Sequence, residues 1–140
     1  MQTFLPLPDL RESVKVLDDR RLGKQRVEAL QILNALEGRS RGWVHHPAVR
    51  MWRTHESALR LYHDLCIAEW VFRGFRNTMP CLADSTSPIL PDWFGLEAFH
   101  ASHRSNLLRK DPGHYGWFGW TEPPTMPYFW PEEKREAVQI

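Results

Sequence analysis

Residues 17–33, LDDRRLGKQRVEALQIL, read as an amphipathic helix and decide the fold. Leu22, Ala29, Leu33 and, just beyond, Leu36 recur on one side at helical spacing; Asp18 or Asp19 offers an N-cap, and Gly38 is placed to end the helix. At about 100° per residue, Arg21, Lys24, Glu28 and Gln31 fall within about 80° of one another, well away from that apolar side. Lys24 and Glu28, one turn apart, are at first sight a solvated ion pair contributing a few tenths of a kcal/mol. A carboxylate flanked by cations also stays ionised, which suits proton transfer, while the arginines suit phosphate.

Upstream, Asp9 followed by Glu12 has capping-box spacing, so 9–37 is expected to be helical in two pieces behind an arm of residues 1–8. Downstream, Pro47 suits a first helical turn, and Val49, Trp52, Leu59, Tyr62, Cys66 and Trp70 keep one stripe, predicting a single long helix over 47–73 that ends at Gly74. A third helix is expected over 96–110, stopping before Asp111 and Pro112. The prolines and glycines of 112–130 point to an extended aromatic segment laid across the helices, with Trp117, Phe118, Trp120 and Phe129 completing the core, and 131–140 reads as a polar tail. The fold class is therefore all-α: a compact single domain of three principal helices with a wrapped, extended aromatic and proline-rich C-terminal segment.

A chain of 140 residues with 42% hydrophobic residues builds one core. No run is long and apolar enough for a membrane span, and the start MQTFLPLPDLRES lacks a signal-peptide pattern, so a cytoplasmic monomer without membrane attachment is expected. Cys66 and Cys81 lack metal or disulfide spacing and read as buried thiols in a reducing compartment. The net charge of +1 excludes a strongly basic nucleic-acid binder, yet the 14 Arg against 4 Lys favour bidentate phosphate contacts and stacking on rings. The histidines include the pair His100 and His103 on one face and His45 and His46 before a helix start. No HExxH or Cys/His set is present, so no metal or cofactor is expected, and His46, His100 and His103 are candidates to line a pocket with Glu28. Arg104 joins them as a binding candidate, and Tyr115 would border the rim.

The run at 17–33 also resembles the first long helix of the phage-type pyrimidine-dimer DNA glycosylases, often called endonuclease V, through Leu17, Asp19, Leu22 and Glu28. The stretch VRMWRTHESALRLYHDLCIAEWVFRGF is similar to that family's central helix, ending in Arg73, Gly74 and Phe75, and LGKQRVEAL, HHPAV and SHRSNLLRKDP resemble uncharacterised bacterial members. The resemblance implies a glycosylase with abasic-site lyase activity on damaged or modified pyrimidines in duplex DNA. A neutral N-terminal amine would attack the deoxyribose, assisted by the glutamate matching Glu28. An α-amine suits this, since its reference pKa near 7.7–8.0 leaves a useful neutral fraction at pH 7.

The family's nucleophile is an N-terminal threonine; this chain begins Met1, Gln2, Thr3 and carries extra residues ahead of the matching position, which must fold back for the Met1 amine to reach Glu28. Lys24 is the substitute nucleophile. Val27 and Gln31 stand where the family has arginines, so DNA grip falls to Arg20, Arg21, Lys24 and Arg26. Two other readings stay open: a nucleic-acid or modified-nucleotide binding module on the same fold, and a different enzyme built from His100, His103 and Glu28. A Met1 amine more than about 10 Å from Glu28, with those histidines surrounding the carboxylate, would favour the latter.

Overall fold

A computed structural model of the chain describes residues 1–131; the predicted polar tail lies, but for Pro131, outside the described residues. The described part is helical, without strands. Helix α1 (Leu10–Lys15) starts at Asp9, whose carboxylate accepts from the Glu12 N–H at 2.8 Å. Helix α2 (Asp19–Leu36) starts at Asp18, which accepts from the Arg21 N–H, and ends before Gly38, at φ 75 in the left-handed region a side chain disfavours. Leu22, Ala29 and Leu33 are buried as the spacing predicts, with Leu36 only partly so; Ile32 and Ala35 join them, and buried with them is the polar Gln25.

The long helix expected over 47–73 is instead two. Helix α3 (Pro47–Arg50), capped by His46 Nδ1, stops after one turn, and α4 (Glu56–Phe72) begins after Thr54 at φ 69. The Met51 carbonyl, which a continuous helix would offer to the His55 N–H, receives the Trp93 indole N–H at 2.9 Å, while His55 turns tightly onto the Trp52 carbonyl. Val49 and Trp52 are buried all the same, which is why the apolar stripe ran unbroken through the turn.

Helix α4 packs along α2 and against α1. Gly23 permits the close approach, since a Cβ there would meet the Trp70 ring at 2.9 Å. Helix α5 (Glu97–Lys110) follows, then α6 (Pro112–Tyr115) and a 3-10 turn at Gly116–Phe118. The segment 112–130 is thus not extended throughout: Asp111 caps its first turn through the His114 N–H. Its aromatics also divide. Trp120 and Phe129 pack on the core, but Trp117 is 88% exposed and Phe118 41%. Cys66 is buried as expected, whereas Cys81 is exposed. No described helix is long and apolar enough to cross a membrane.

Candidate active site

The N-terminal arm has neither helix nor sheet partner, so its buried backbone groups must find other hydrogen bonds. Side chains from four helices supply them. Gln2 N–H donates to Glu28 Oε2 at 3.3 Å, and the Gln2 carbonyl accepts from Gln25 Nε2 at 3.0 Å. Phe4 N–H donates to Gln25 Oε1 at 2.8 Å, and the Tyr62 hydroxyl sits between the Phe4 carbonyl and that same oxygen, at 2.9 and 2.6 Å. Leu5 N–H donates to His103 Nδ1 at 2.9 Å, and His100 Nδ1–H donates to the Leu5 carbonyl at 2.7 Å. Arg104 holds the Pro6 carbonyl at 2.8 Å, Ser13 Oγ satisfies both groups of Leu7, and the Trp52 indole donates to Thr3 Oγ1.

These bonds fix the imidazole tautomers. His103 must present a bare Nδ1 to Leu5, whereas His100 carries its proton on Nδ1 and accepts from the Gly95 N–H on Nε2. Burial, then the neighbouring His100, pushes the His103 pKa down to about 3; burial also lowers that of His100, against the opposing pull of the Leu5 carbonyl. Both rings are neutral clamps.

The arm ends beside Glu28. A cleft of about 370 Å³ opens there, walled by Met1, Gln2 and Phe4 on the arm, by Arg20, Arg21, Lys24, Gln25 and Glu28 on α2, and by Lys110 and Tyr128 from the far end of the chain. Adjacent backbone nitrogens lie at most ~3.7 Å apart, so the Met1 amine is within about 7 Å of Glu28 Oε2. Gln25 Nε2 donates to the same carboxylate oxygen at 2.9 Å, so one buried amide ties the arm to the carboxylate. Burial first, then Arg109, Arg21 and Lys24, lowers the Lys110 pKa, while burial raises the Tyr128 hydroxyl to about 12.

The structure therefore brings Glu28, Met1, Lys24, Arg20 and Arg21 together and sends the other candidates elsewhere. Arg26 lies over the Trp70 ring at 4.5 Å and donates to Asn77, in a second groove on the other flank of α2 that also touches Glu28. His100, His103 and Arg104 do not line the Glu28 cleft; all three are spent on the arm, Arg104 being further paired with Glu97 and Glu122. Tyr115 is buried, its hydroxyl donating to Asp18 at 2.5 Å. Burial alone would raise the Asp18 pKa, but the bonds from Tyr115 and Arg21 hold it low, which keeps the α2 N-cap charged. His46 caps α3 between Trp43 and Trp130. Among the described residues no group of three or more His, Cys, Asp or Glu side chains could hold a metal ion.

Gln25, Lys110 and Tyr128 are the additions that sequence spacing missed. Gln25 carried one usable signal, since at i−3 from Glu28 it stands one turn away on the same helix.

Residues 1–83, from the arm through α4, match the family model for pyrimidine dimer DNA glycosylase. The chain belongs to that family. No curated protein and no solved structure matches it. The matched segment contains Glu28, Gln25 and the whole arm; the clamp from α5 and the cleft wall at Lys110 and Tyr128 lie beyond it. In this pyrimidine dimer glycosylase family member, some of the site's supports therefore come from outside the segment that identifies it.

Proposed function

We propose that this chain releases a damaged or modified pyrimidine from duplex DNA and then nicks the strand, with the α-amine at the head of the arm as nucleophile and Glu28 as its carboxylate partner. The observation that carries the reading is the Gln2 N–H on Glu28 Oε2 at 3.3 Å, which holds the head of the arm against the carboxylate. The neutral amine attacks C1′; the glycosidic bond breaks, its electron pair leaves with the base, and the base takes up a proton. Glu28 faces the cation developing on the sugar and accepts protons in turn. Ring opening gives the Schiff base, and loss of a C2′ proton expels the 3′ phosphate. Arg20, Arg21, Lys24 and Lys110 give the cleft a positive wall for the flanking phosphates.

The test is borohydride trapping on an oligonucleotide with one abasic site, followed by peptide mapping. Trapping at the terminal amine supports the reading; trapping at Lys24 or Lys110 reassigns the nucleophile. No adduct, with salt-sensitive DNA binding unchanged in Glu28→Gln, would leave a binding module.

A further inference from the structure

From Gly38 to His55 the chain carries four arginines and three histidines and no acidic residue, whereas the net charge of the whole protein is only +1. The positive charge is thus concentrated in one loop, which follows the C-terminal end of α2. At its tip stands Trp43, 61% exposed and held at φ 69, a backbone region that a bulky residue occupies only under constraint. Exposed Arg39 and Arg41 precede it by four and two residues.

The ring is not isolated. Trp43 meets His46 edge-on at 5.7 Å, His46 meets Trp130 edge-on at 5.9 Å, and Trp130 meets Tyr128 at 5.6 Å. Tyr128 is a wall of the Glu28 cleft. A continuous line of rings therefore runs from that cleft to an exposed tryptophan preceded by two exposed arginines, and so places the loop on the cleft's side of the molecule. Eight helical rises of α2 carry Glu28 to Leu36, roughly 12 Å of helix, or about three to four base steps of a DNA strand.

We infer that this strip is a second DNA contact, in which Trp43 stacks on a base of the strand leaving the cleft while Arg39 and Arg41 hold its phosphates. Stacked rings tolerate any base and guanidinium groups track the backbone, so the contact adds affinity without sequence preference. The inference rests on the reading of the Glu28 cleft as a DNA site and extends its footprint along one flank.

The experiment is fluorescence anisotropy on a duplex containing one tetrahydrofuran abasic analogue, titrated over a range of salt. Wild type is compared with Trp43→Ala, Trp43→Phe and the double variant Arg39→Ala/Arg41→Ala. Trp43→Ala should weaken binding roughly 5- to 150-fold and Trp43→Phe should restore most of it. The double variant should lower the log–log salt slope by about 1.8. Trimming the duplex to two base pairs on the flank that reaches the loop should erase all three differences. Borohydride trapping by wild type reports on the cleft alone. A wild type that traps while the loop variants keep wild-type affinity and slope overturns the strip and leaves the cleft reading standing. Loop variants that weaken binding in a chain that does not trap uphold the strip and overturn the lyase reading.

Discussion

Helices α2 and α5 make opposite use of polar residues. On α2 the buried side is apolar apart from Gln25, and the charged side faces a cleft. On α5 the buried residues are mostly polar, namely His100, Ser102, His103, Arg104, Ser105 and Asn106, and nearly every one grips backbone that has no helix or strand of its own. Ser102 takes the Phe129 N–H, Ser105 the Met126 N–H and Asn106 the Met126 carbonyl, while the basic residues take the arm. A polar helix face therefore has two meanings, a surface for a ligand or a clamp for a coil. The sequence of one helix does not distinguish them, because the distinction lies in what covers it.

The largest expected effect tests the α2 half of the contrast. Glu28→Gln keeps an oxygen for the Gln2 N–H and the Gln25 amide but removes the charge. Single-turnover strand nicking of dimer-containing duplex should fall by about 10²- to 10⁴-fold, with thermal unfolding little changed. An unchanged rate would move the chemistry off α2.

Acid should act on the α5 half. His103 has a folded pKa of about 3 against an ordinary 6.5, and His100 is also lowered, so the folded state binds fewer protons than the unfolded one. Their contribution is complete above pH ~6.5 and is lost as pH falls below it, at about 1.4 kcal/mol per pH unit for His103 down to its folded value. Urea unfolding at pH 7 and pH 5 should therefore differ by about 2 kcal/mol more in wild type than in His103→Leu. Equal differences would remove His103 as a neutral clamp.

The smallest effect returns to α2. Arg21→Ala breaks a part-exposed pair with Asp18 and should cost at most about 1 kcal/mol of stability, while the log–log salt slope of DNA binding drops by about 0.9. A large stability loss with an unchanged slope would make Arg21 a clamp, like Arg104.

The same contrast explains what could be read from the sequence. Helices α2 and α5 were legible because their ends are punctuated, by Asp18 and Gly38 and by Asp111 and Pro112. The break at residues 51–55 was not, because a buried stripe continues across it and its cause, the Trp93 indole on the Met51 carbonyl, lies some forty residues away in sequence. Glu28 stood out only through the family pattern. The α5 histidines were read as pocket residues because nothing in their spacing tells that the arm lies on top of them. Lys110 and Tyr128 reach the cleft by tertiary packing alone, which no local pattern encodes.

The clamp also has a consequence for how the site comes into being. The Leu5 bonds to His103 and His100 join residues 98 and 95 positions apart, and the Arg104 bond to Pro6 spans 98. Contacts so distant along the chain close late, after the loop entropy of the intervening segment has been overcome. During synthesis from the N-terminus, α1, α2 and α4 can meet and hold Gln2, Phe4 and Leu7 while Leu5 and Pro6 still lack their partners on α5. Part of what is made first waits for what is made last, and the cleft cannot exist as an organised site until α5 and the wall at Tyr128 have left the ribosome.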